Sequence, residues 1–265
     1  MLASESSALR APLADVMLEA GEIARQTARG AFKHWTKGDS SPVSEADIAV
    51  NELLHRRLMT LVPGAGWLSE ETEQMPDSAT PLIWIVDPID GTRSYISGRA
   101  DWSVSVALTD NGRPIVASVY VPVSDEMFLV SRDGGATLNG TSIKVRDGVL
   151  SGAKLAGPRR YLDRFSDLAS GALPQPKVYS LALRMARVAQ GELDVGLAGP
   201  GAHDWDLAAA DLLVHEAGGM LSDFAGRKPI YNNNPQAVQA ALIAAGPVRH
   251  STLIGLARDR GIDLT

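Results

Sequence analysis

The segment Ile83-Trp84-Ile85-Val86-Asp87-Pro88-Ile89-Asp90-Gly91-Thr92-Arg93-Ser94-Tyr95-Ile96 is an apolar run that ends on two acids three positions apart and passes at once into Gly-Thr. The β-branched content of 83–86 predicts a buried strand, so Asp87 falls where the chain leaves the core and its carboxylate can face a cleft. Pro88 has a fixed φ and no N–H, which predicts a stop in the sheet ladder and a free carbonyl on Ile89. Asp90 has the chemistry of an N-cap for a short helix reaching about Ile96, with Gly91 and Thr92 supplying its first unpaired amides, where an anion is favoured. Two hard oxygen donors beside free amides suit metal-assisted phosphate chemistry. The same residue types also dominate plain turns, so this segment alone leaves a simple turn open.

Other acids decide between the two. Trp67-Leu68-Ser69-Glu70-Glu71-Thr72 places two carboxylates at the end of another short apolar run, and Asp204-Trp205-Asp206 opens the amphipathic stretch 207–217. Three acid groups at element ends are hard to read as surface charge. All the candidate donors are carboxylate, carbonyl or water oxygens, a set that suits Mg²⁺, Mn²⁺ or Ca²⁺ better than Zn²⁺. His203 beside this set reads either as a ligand or substrate contact or, since imidazole suits a hard site poorly, as a local loop-ordering group. Asp204 reads as a solvated or supporting acid, and Trp205 as packing at the helix start.

Taken together, these motifs resemble the inositol monophosphatase superfamily of magnesium-dependent, lithium-sensitive phosphatases. The resemblance is carried by residues 84–92, by Ser69-Glu70-Glu71-Thr72, by Trp205-Asp206-Leu207-Ala208-Ala209-Ala210 ending in Glu216-Ala217-Gly218-Gly219, and by Pro42-Val43-Ser44-Glu45-Ala46-Asp47. Their order and spacing run from about residue 10 to residue 255. The resemblance implies a layered αβαβα sandwich of the inositol monophosphatase and fructose-1,6-bisphosphatase type. It also implies two to three Mg²⁺ ions, with Mn²⁺ able to substitute and Ca²⁺ and Li⁺ inhibitory, and a two-fold homodimer.

Carried over by position, Glu70, Asp87 and the Ile89 carbonyl would hold a first ion. Asp87, Asp90 and Asp206 would hold a second, and Glu70 with water a weaker third. Two ions sharing Asp87 would lie roughly 3.5–4 Å apart, gripping the attacking and leaving oxygens of an in-line displacement. Thr92, its hydroxyl held by Asp47, and Glu70 would orient the attacking water and take its proton. Asp90 and the Gly91 and Thr92 amides would hold the phosphate, with no covalent phosphoenzyme. Lys37 would sit on a flap formed by the polar loop 35–42, which otherwise reads as a plain linker.

The resemblance thins at the substrate. In inositol monophosphatases a glutamate lies seven residues before the helix-start aspartate, and here that position is Gly199. Gly98-Arg99-Ala100-Asp101-Trp102 is instead similar to bacterial 3′(2′),5′-bisphosphate nucleotidases, and Arg159-Arg160 reads either as a second-phosphate contact or as a solvated basic pair. The run from Asp90 to Gly98 is also similar to histidinol phosphatases. Some relatives act with the transcription machinery, which leaves a partner-binding role with incidental catalysis as a further reading.

Composition supports one enzyme with a large core: 265 residues, 45% hydrophobic, and no apolar run of membrane length. The absence of cysteine excludes disulfides and thiol nucleophiles. A net charge of −6 argues against broad nucleic-acid binding, while a small phosphorylated metabolite remains the expected partner. Residues 1–6 lack the basic and apolar regions of a secretory signal, so a cytoplasmic location is expected.

Periodicity predicts helices over 12–32 and 44–61, then an antiparallel series over 102–108, 114–121 and 126–130 with turns at 110–112 and 133–135. Alternating strands and helices follow: 154–156 before a helix from Arg159, 178–179 before 181–190, 194–197 before 205–217, and 241–244 before a last helix. This α/β (α+β) pattern divides into an N-terminal half, 1–148, with most of the metal ligands, and a C-terminal half, 149–265, with Asp206 and substrate-side loops. Rival motifs fail on spacing. There is no Walker lysine, Gly199-Pro200-Gly201-Ala202-His203-Asp204 lacks the third glycine of the dinucleotide pattern, and Asp87 to Asp90 is one residue too long for an Asp-x-Asp dehalogenase or EF-hand pattern.

Overall fold

The computed structural model describes residues 3–37, 42–72, 80–168, 171–231 and 238–259. Helices α1 (Ala3–Ala8) and α2 (Arg10–Arg29) lead to a short antiparallel pair, β1 (His34–Thr36) and β2 (Pro42–Ser44), and then to α3 (Glu45–Leu61). The centre of the expected 35–42 flap, residues 38–41, lies outside the described residues. The chain continues through β3 (Gly66–Ser69), β4 (Leu82–Asp90), α4 (Thr92–Ile96), β5 (Ser103–Asp110), β6 (Arg113–Val121), β7 (Glu126–Ser131), β8 (Gly135–Leu138) and β9 (Thr141–Ser142). It ends with β10 (Lys154–Ala156), α5 (Arg159–Leu168), β11 (Leu173–Pro174), α6 (Leu181–Ala189), β12 (Val195–Ala198), α7 (Asp204–Glu216), β13 (Met220–Asp223), β14 (Leu242–Ala245) and α8 (Pro247–Asp259).

Besides the β1–β2 pair, two larger sheets result among the described residues. Strands β3 to β9 form one in sequence order, and the other runs β11-β10-β12-β14-β13. The alternation of β4 explains the stacking, because successive side chains of a strand point to opposite faces. Trp84 and Val86 pack against Leu13, Val16 and Met17 of α2 and Val50 and Leu54 of α3. Ile83 and Ile85 face the other way, onto Met185 and Val188 of α6 and Leu207 and Leu213 of α7, which also cover Leu221, Leu242 and Ala244 of the second sheet. The outer face of that sheet, Leu155, Val195, Leu197 and Ile243, is closed by Tyr161 and Phe165 of α5 and Leu253 of α8. Helix pair, sheet, helix pair, sheet, helix pair is the expected αβαβα sandwich. No described helix is long and apolar enough to cross a membrane.

Several local expectations are corrected. Residues 178–179 form no strand, because the Tyr179 N–H donates to the Asp101 carboxylate at 2.9 Å and the Ser180 N–H to the Asp101 carbonyl at 3.1 Å. The parallel strand in that region is β11, paired with β10. Strand β13, after the Gly218-Gly219 turn, is not among the expected elements, and the second sheet contains antiparallel pairs as well as βα units.

Candidate metal centre

Ladder pairing in β4 is irregular where Pro88 predicts it. Asp87 pairs with Ser105 and Asp90 with Ser103, so Pro88 and Ile89 together oppose one residue of β5, a bulge that re-aims the side chains around it. The strand nevertheless extends to Asp90 rather than stopping at Pro88. The Ile89 N–H donates to Asp87 Oδ1 at 3.0 Å, which fixes the carboxylate over the bulge. Gly91 then adopts φ +93°, and a Cβ there would lie 3.1 Å from the Ser180 amide nitrogen, so both backbone conformation and space require glycine.

The Asp90 carboxylate does not cap its own short helix. Gly91 is the N-cap of α4, and Asp90 instead accepts from Ser180 Oγ at 2.5 Å, the Leu181 N–H at 3.1 Å and the Ala182 N–H at 2.6 Å, all at the start of α6. Its negative charge thus complements a different helix terminus, ninety residues along the chain. Asp206 comes from the first turn of α7, where its Oδ2 accepts the His203 N–H at 2.7 Å in a reciprocal cap. Asp87, Asp90 and Asp206 each bring an oxygen to within 4.8 Å of the others. Glu70 joins them at the end of β3, in a cavity of about 250 Å³ lined also by Ile89, Gly91, Thr92, Arg93, Lys177 and Tyr179.

Electrostatics show what this cluster lacks. Burial pushes Asp206 up to about 7, with Asp90 adding to the effect. Burial pushes Glu70 up to about 8, with Lys37 opposing and Glu71, Asp206 and Asp47 reinforcing. Asp87 is raised by burial and then by Glu70, Asp90 and Asp206, and Asp90 is raised by burial against the donors of α6. Carboxylates crowded together out of water favour protonation or a cation. Two nearby cations, Lys37 and Arg184, are already engaged. Lys37 Nζ lies 2.5 Å from Glu71 Oε1 and 4.0 Å from Glu70 Oε1, and Arg184 donates to the carbonyls of Leu197 and Val178.

Asp47 lies beside the cluster, fully buried, accepting from the Ser44 N–H at 2.8 Å and the Ser44 hydroxyl at 2.6 Å. Burial pushes it up to about 6. Thr92 Oγ1 is 3.2 Å from Asp47 Oδ1 and 3.0 Å from the Ile89 carbonyl, and its single hydroxyl proton serves one of the two at a time.

The remaining candidates lie outside the lining of this cavity, and His203 takes the local ordering role that the sequence left open. His203 stacks on Trp205 with centroids 4.5 Å apart and contributes its backbone to the α7 cap. Asp204 is buried and accepts from Gln239 at 2.9 Å. Arg159 is an exposed partner of Asp163, and Arg160 lies over the Tyr161 ring, 3.5 Å from where a Cβ on Gly199 would sit. Sequence reasoning missed Arg93, Lys177 and Tyr179. The Tyr179 ring carries Lys177 Nζ at 4.1 Å and the Arg99 guanidinium at 4.8 Å from its centroid, and Asp101 pins its amide. The one available signal was Asp101 in the 98–102 motif.

Comparison with known proteins agrees with this geometry. The model of the Inositol monophosphatase family matches residues 6–260. An inositol-1-monophosphatase of Mesorhizobium japonicum is 30% identical over 224 residues, 79% of this chain and 84% of its own length. The Nus factor SuhB of Escherichia coli K12 is 32% identical over 224 residues, 78% of this chain and 83% of its own. In three dimensions the extragenic suppressor protein suhB of Bartonella henselae superimposes with a TM-score of 0.84 at 26% identity, covering 94% of this chain and 98% of that one. The chain belongs to the inositol monophosphatase family.

Proposed function

We propose that this protein is a Mg²⁺-dependent phosphate monoester hydrolase acting on a small phosphorylated metabolite. The observation that carries the reading is the convergence of Asp87, Asp90 and Asp206 oxygens within 4.8 Å, with Glu70 in the same cavity. The donor set fits the ion: hard oxygens, raised towards protonation by burial and mutual repulsion. Glu70, Asp87, the Ile89 carbonyl, Asp90 and Asp206 would hold it. Bound Mg²⁺ supplies a Lewis acid for the phosphoryl oxygens and a water of lowered pKa.

The protein's own residues do the rest. Bonds from Ser180, Leu181 and Ala182 lock Asp90, so this acid of the cluster is held between β4 and the start of α6. The Thr92 hydroxyl, donating to Asp47, presents its lone pairs to a water in the cavity. The water's proton passes to Glu70, and Asp47 keeps Thr92 oriented. Gly91 and Thr92 line the wall where the phosphate seats.

Lys177 and Arg93 on the same wall favour a substrate with a second anionic group, and Lys177 also borders an adjoining cavity of about 450 Å³ that contains Arg99. These features support the 3′(2′),5′-bisphosphate nucleotide over histidinol phosphate, whose amine the same cations repel. Inositol 1-phosphate is the second reading, supported by the named relative at 30% identity. Catalytic efficiency across adenosine 3′,5′-bisphosphate, inositol 1-phosphate, histidinol phosphate and fructose 1,6-bisphosphate decides. The bisphosphate nucleotide is expected to lead, and no hydrolysis of any ester with Mg²⁺ present would remove the enzyme reading. A binding role in the transcription machinery, supported by the Nus factor relative, would show as survival of the physiological role in an Asp90→Asn variant that has lost hydrolysis.

A further inference from the structure

Arg184 stands on α6 one turn beyond Ser180, is only 7% exposed, and makes no ion pair among the described residues. A buried guanidinium without a carboxylate in contact costs stability, so packing alone does not account for an arginine here. Its Nη1 donates to the Leu197 carbonyl at 2.9 Å and its Nη2 to the Val178 carbonyl at 2.6 Å, while its Nε, also buried, donates to nothing among the described residues.

The two carbonyls belong to very different backbone. Leu197 is fully buried in β12 and paired with Ile243 of β14, which makes it a fixed anchor. Val178 lies between Lys177 and Tyr179, in the stretch that joins β11 to α6 without a ladder of its own. That stretch is tied on one side by the Gln175 N–H, which donates to the Leu155 carbonyl at 2.8 Å, and on the other by the Tyr179 N–H, which donates to Asp101. Between those ties, residues 176–178 make one hydrogen bond among the described residues, the one from Arg184. Lys177 is carried on that stretch and lines the carboxylate cavity, its Nζ forming no ion pair among the described residues.

We propose that Arg184 is a positioning residue: by bracing Val178 against β12 it sets the place of Lys177 on the cavity wall, and with it the fit of a substrate's second anionic group. This rests on the hydrolase reading. Charge is the competing cause, because Arg184 also acts at a distance on Asp90, against the burial that raises that acid.

Two variants separate bracing from charge. Arg184→Lys keeps the charge and gives up the planar fork, and Arg184→Met gives up both. Steady-state kinetics with adenosine 3′,5′-bisphosphate and Mg²⁺ should show KM raised about fivefold in each with kcat little changed, the cost of ordering one long side chain. In a Lys177→Ala background neither should raise KM further, because the group they misplace is gone. A wild-type KM in Arg184→Lys beside a raised one in Arg184→Met would assign the effect to charge, and full additivity with Lys177→Ala would assign it to another group; either overturns the proposal. Hydrogen exchange of the metal-free, ligand-free proteins gives a readout apart from activity. The Tyr179 and Ser180 amides should exchange faster in both variants than in the wild type, and unchanged exchange would overturn the proposal. So would loss of a cooperative thermal transition in both variants, which would make Arg184 a support of the fold. A wild-type protein inert towards every ester of the panel removes the hydrolase reading itself, whereas one active only on monophosphates removes this proposal alone.

Discussion

Asp206 and Asp211 stand on one helix and are both pushed up to about 7 by desolvation, yet their neighbours are opposite in sign. Around Asp206 the other titrating groups are Asp90 and Asp204, with Asp87 and Glu70 close by. Around Asp211 they include Tyr231, Arg113 and Lys228, which favour its ionised form, with His215 Nε2 3.5 Å away. The same shift therefore has two meanings. Asp211 is a buried acid whose surroundings already carry compensating charge, whereas the acids at the other end of α7 mainly raise one another, with Lys37 and Arg184 opposing only in part.

The largest effect should come from breaking the end that is compensated only in part. Asp87→Asn is expected to lower kcat/KM by more than about 100-fold, because it removes the acid placed to bridge the cluster. Asp204→Asn, whose carboxylate meets Gln239, should cost under about tenfold. Steady-state kinetics that reversed this ranking would contradict the ligand assignment.

The next contrast is in stability against pH. A carboxyl whose folded pKa is raised contributes stability that is fully present below its unfolded value and lost as pH rises through the folded one. For Asp206 and Asp211 that window runs from 3.8 to about 7, and for Glu70 from 4.5 to about 8. Metal-free protein should therefore lose stability steadily over this range. Added Mg²⁺ should abolish the share due to Glu70 and Asp206, and Asp211→Asn should remove a further share that Mg²⁺ leaves untouched. Denaturant midpoints across pH, with and without Mg²⁺, measure both, and a slope unaffected by Mg²⁺ would mean that the two ends are alike.

Much of this was legible in the chain itself. The β-branched run 83–86, the Pro88 interruption and the glycine at 91 are local signals, and each appears in β4, its bulge and the positive φ that follows. The segment 42–47 was likewise visible as a short motif of the resemblance, but the capping box that Ser44 and Asp47 form at the start of α3 appears only in the structure, where Thr92 also meets Asp47. What was not legible depends on distant partners. The role of Asp90 at the start of α6 joins residues ninety apart, and the 178–179 segment resembles a strand until its donors are seen to go to Asp101. Arg159-Arg160 leaves a phosphate contact and a solvated pair both open because sequence shows charge without direction, and the structure turns one to Asp163 and the other to Tyr161.

Smaller effects sharpen the picture at the cavity rim. Lys177→Ala should raise KM for a bisphosphate nucleotide about tenfold with kcat little changed, while leaving a monophosphate substrate nearly unaffected. Equal losses for both would mean that Lys177 acts on the reacting phosphate instead. Arg159→Ala, remote from the cavity and open to solvent, should leave kcat/KM and thermal stability as they are.

The claim on which the account rests is that Glu70, Asp87, Asp90 and Asp206 together hold divalent cations. Anomalous diffraction from crystals soaked in Mn²⁺ tests it directly: the account predicts manganese peaks enclosed by those four carboxylates, lost in Asp87→Asn. A cavity without manganese under saturating Mn²⁺, or peaks coordinated by other residues, would contradict it.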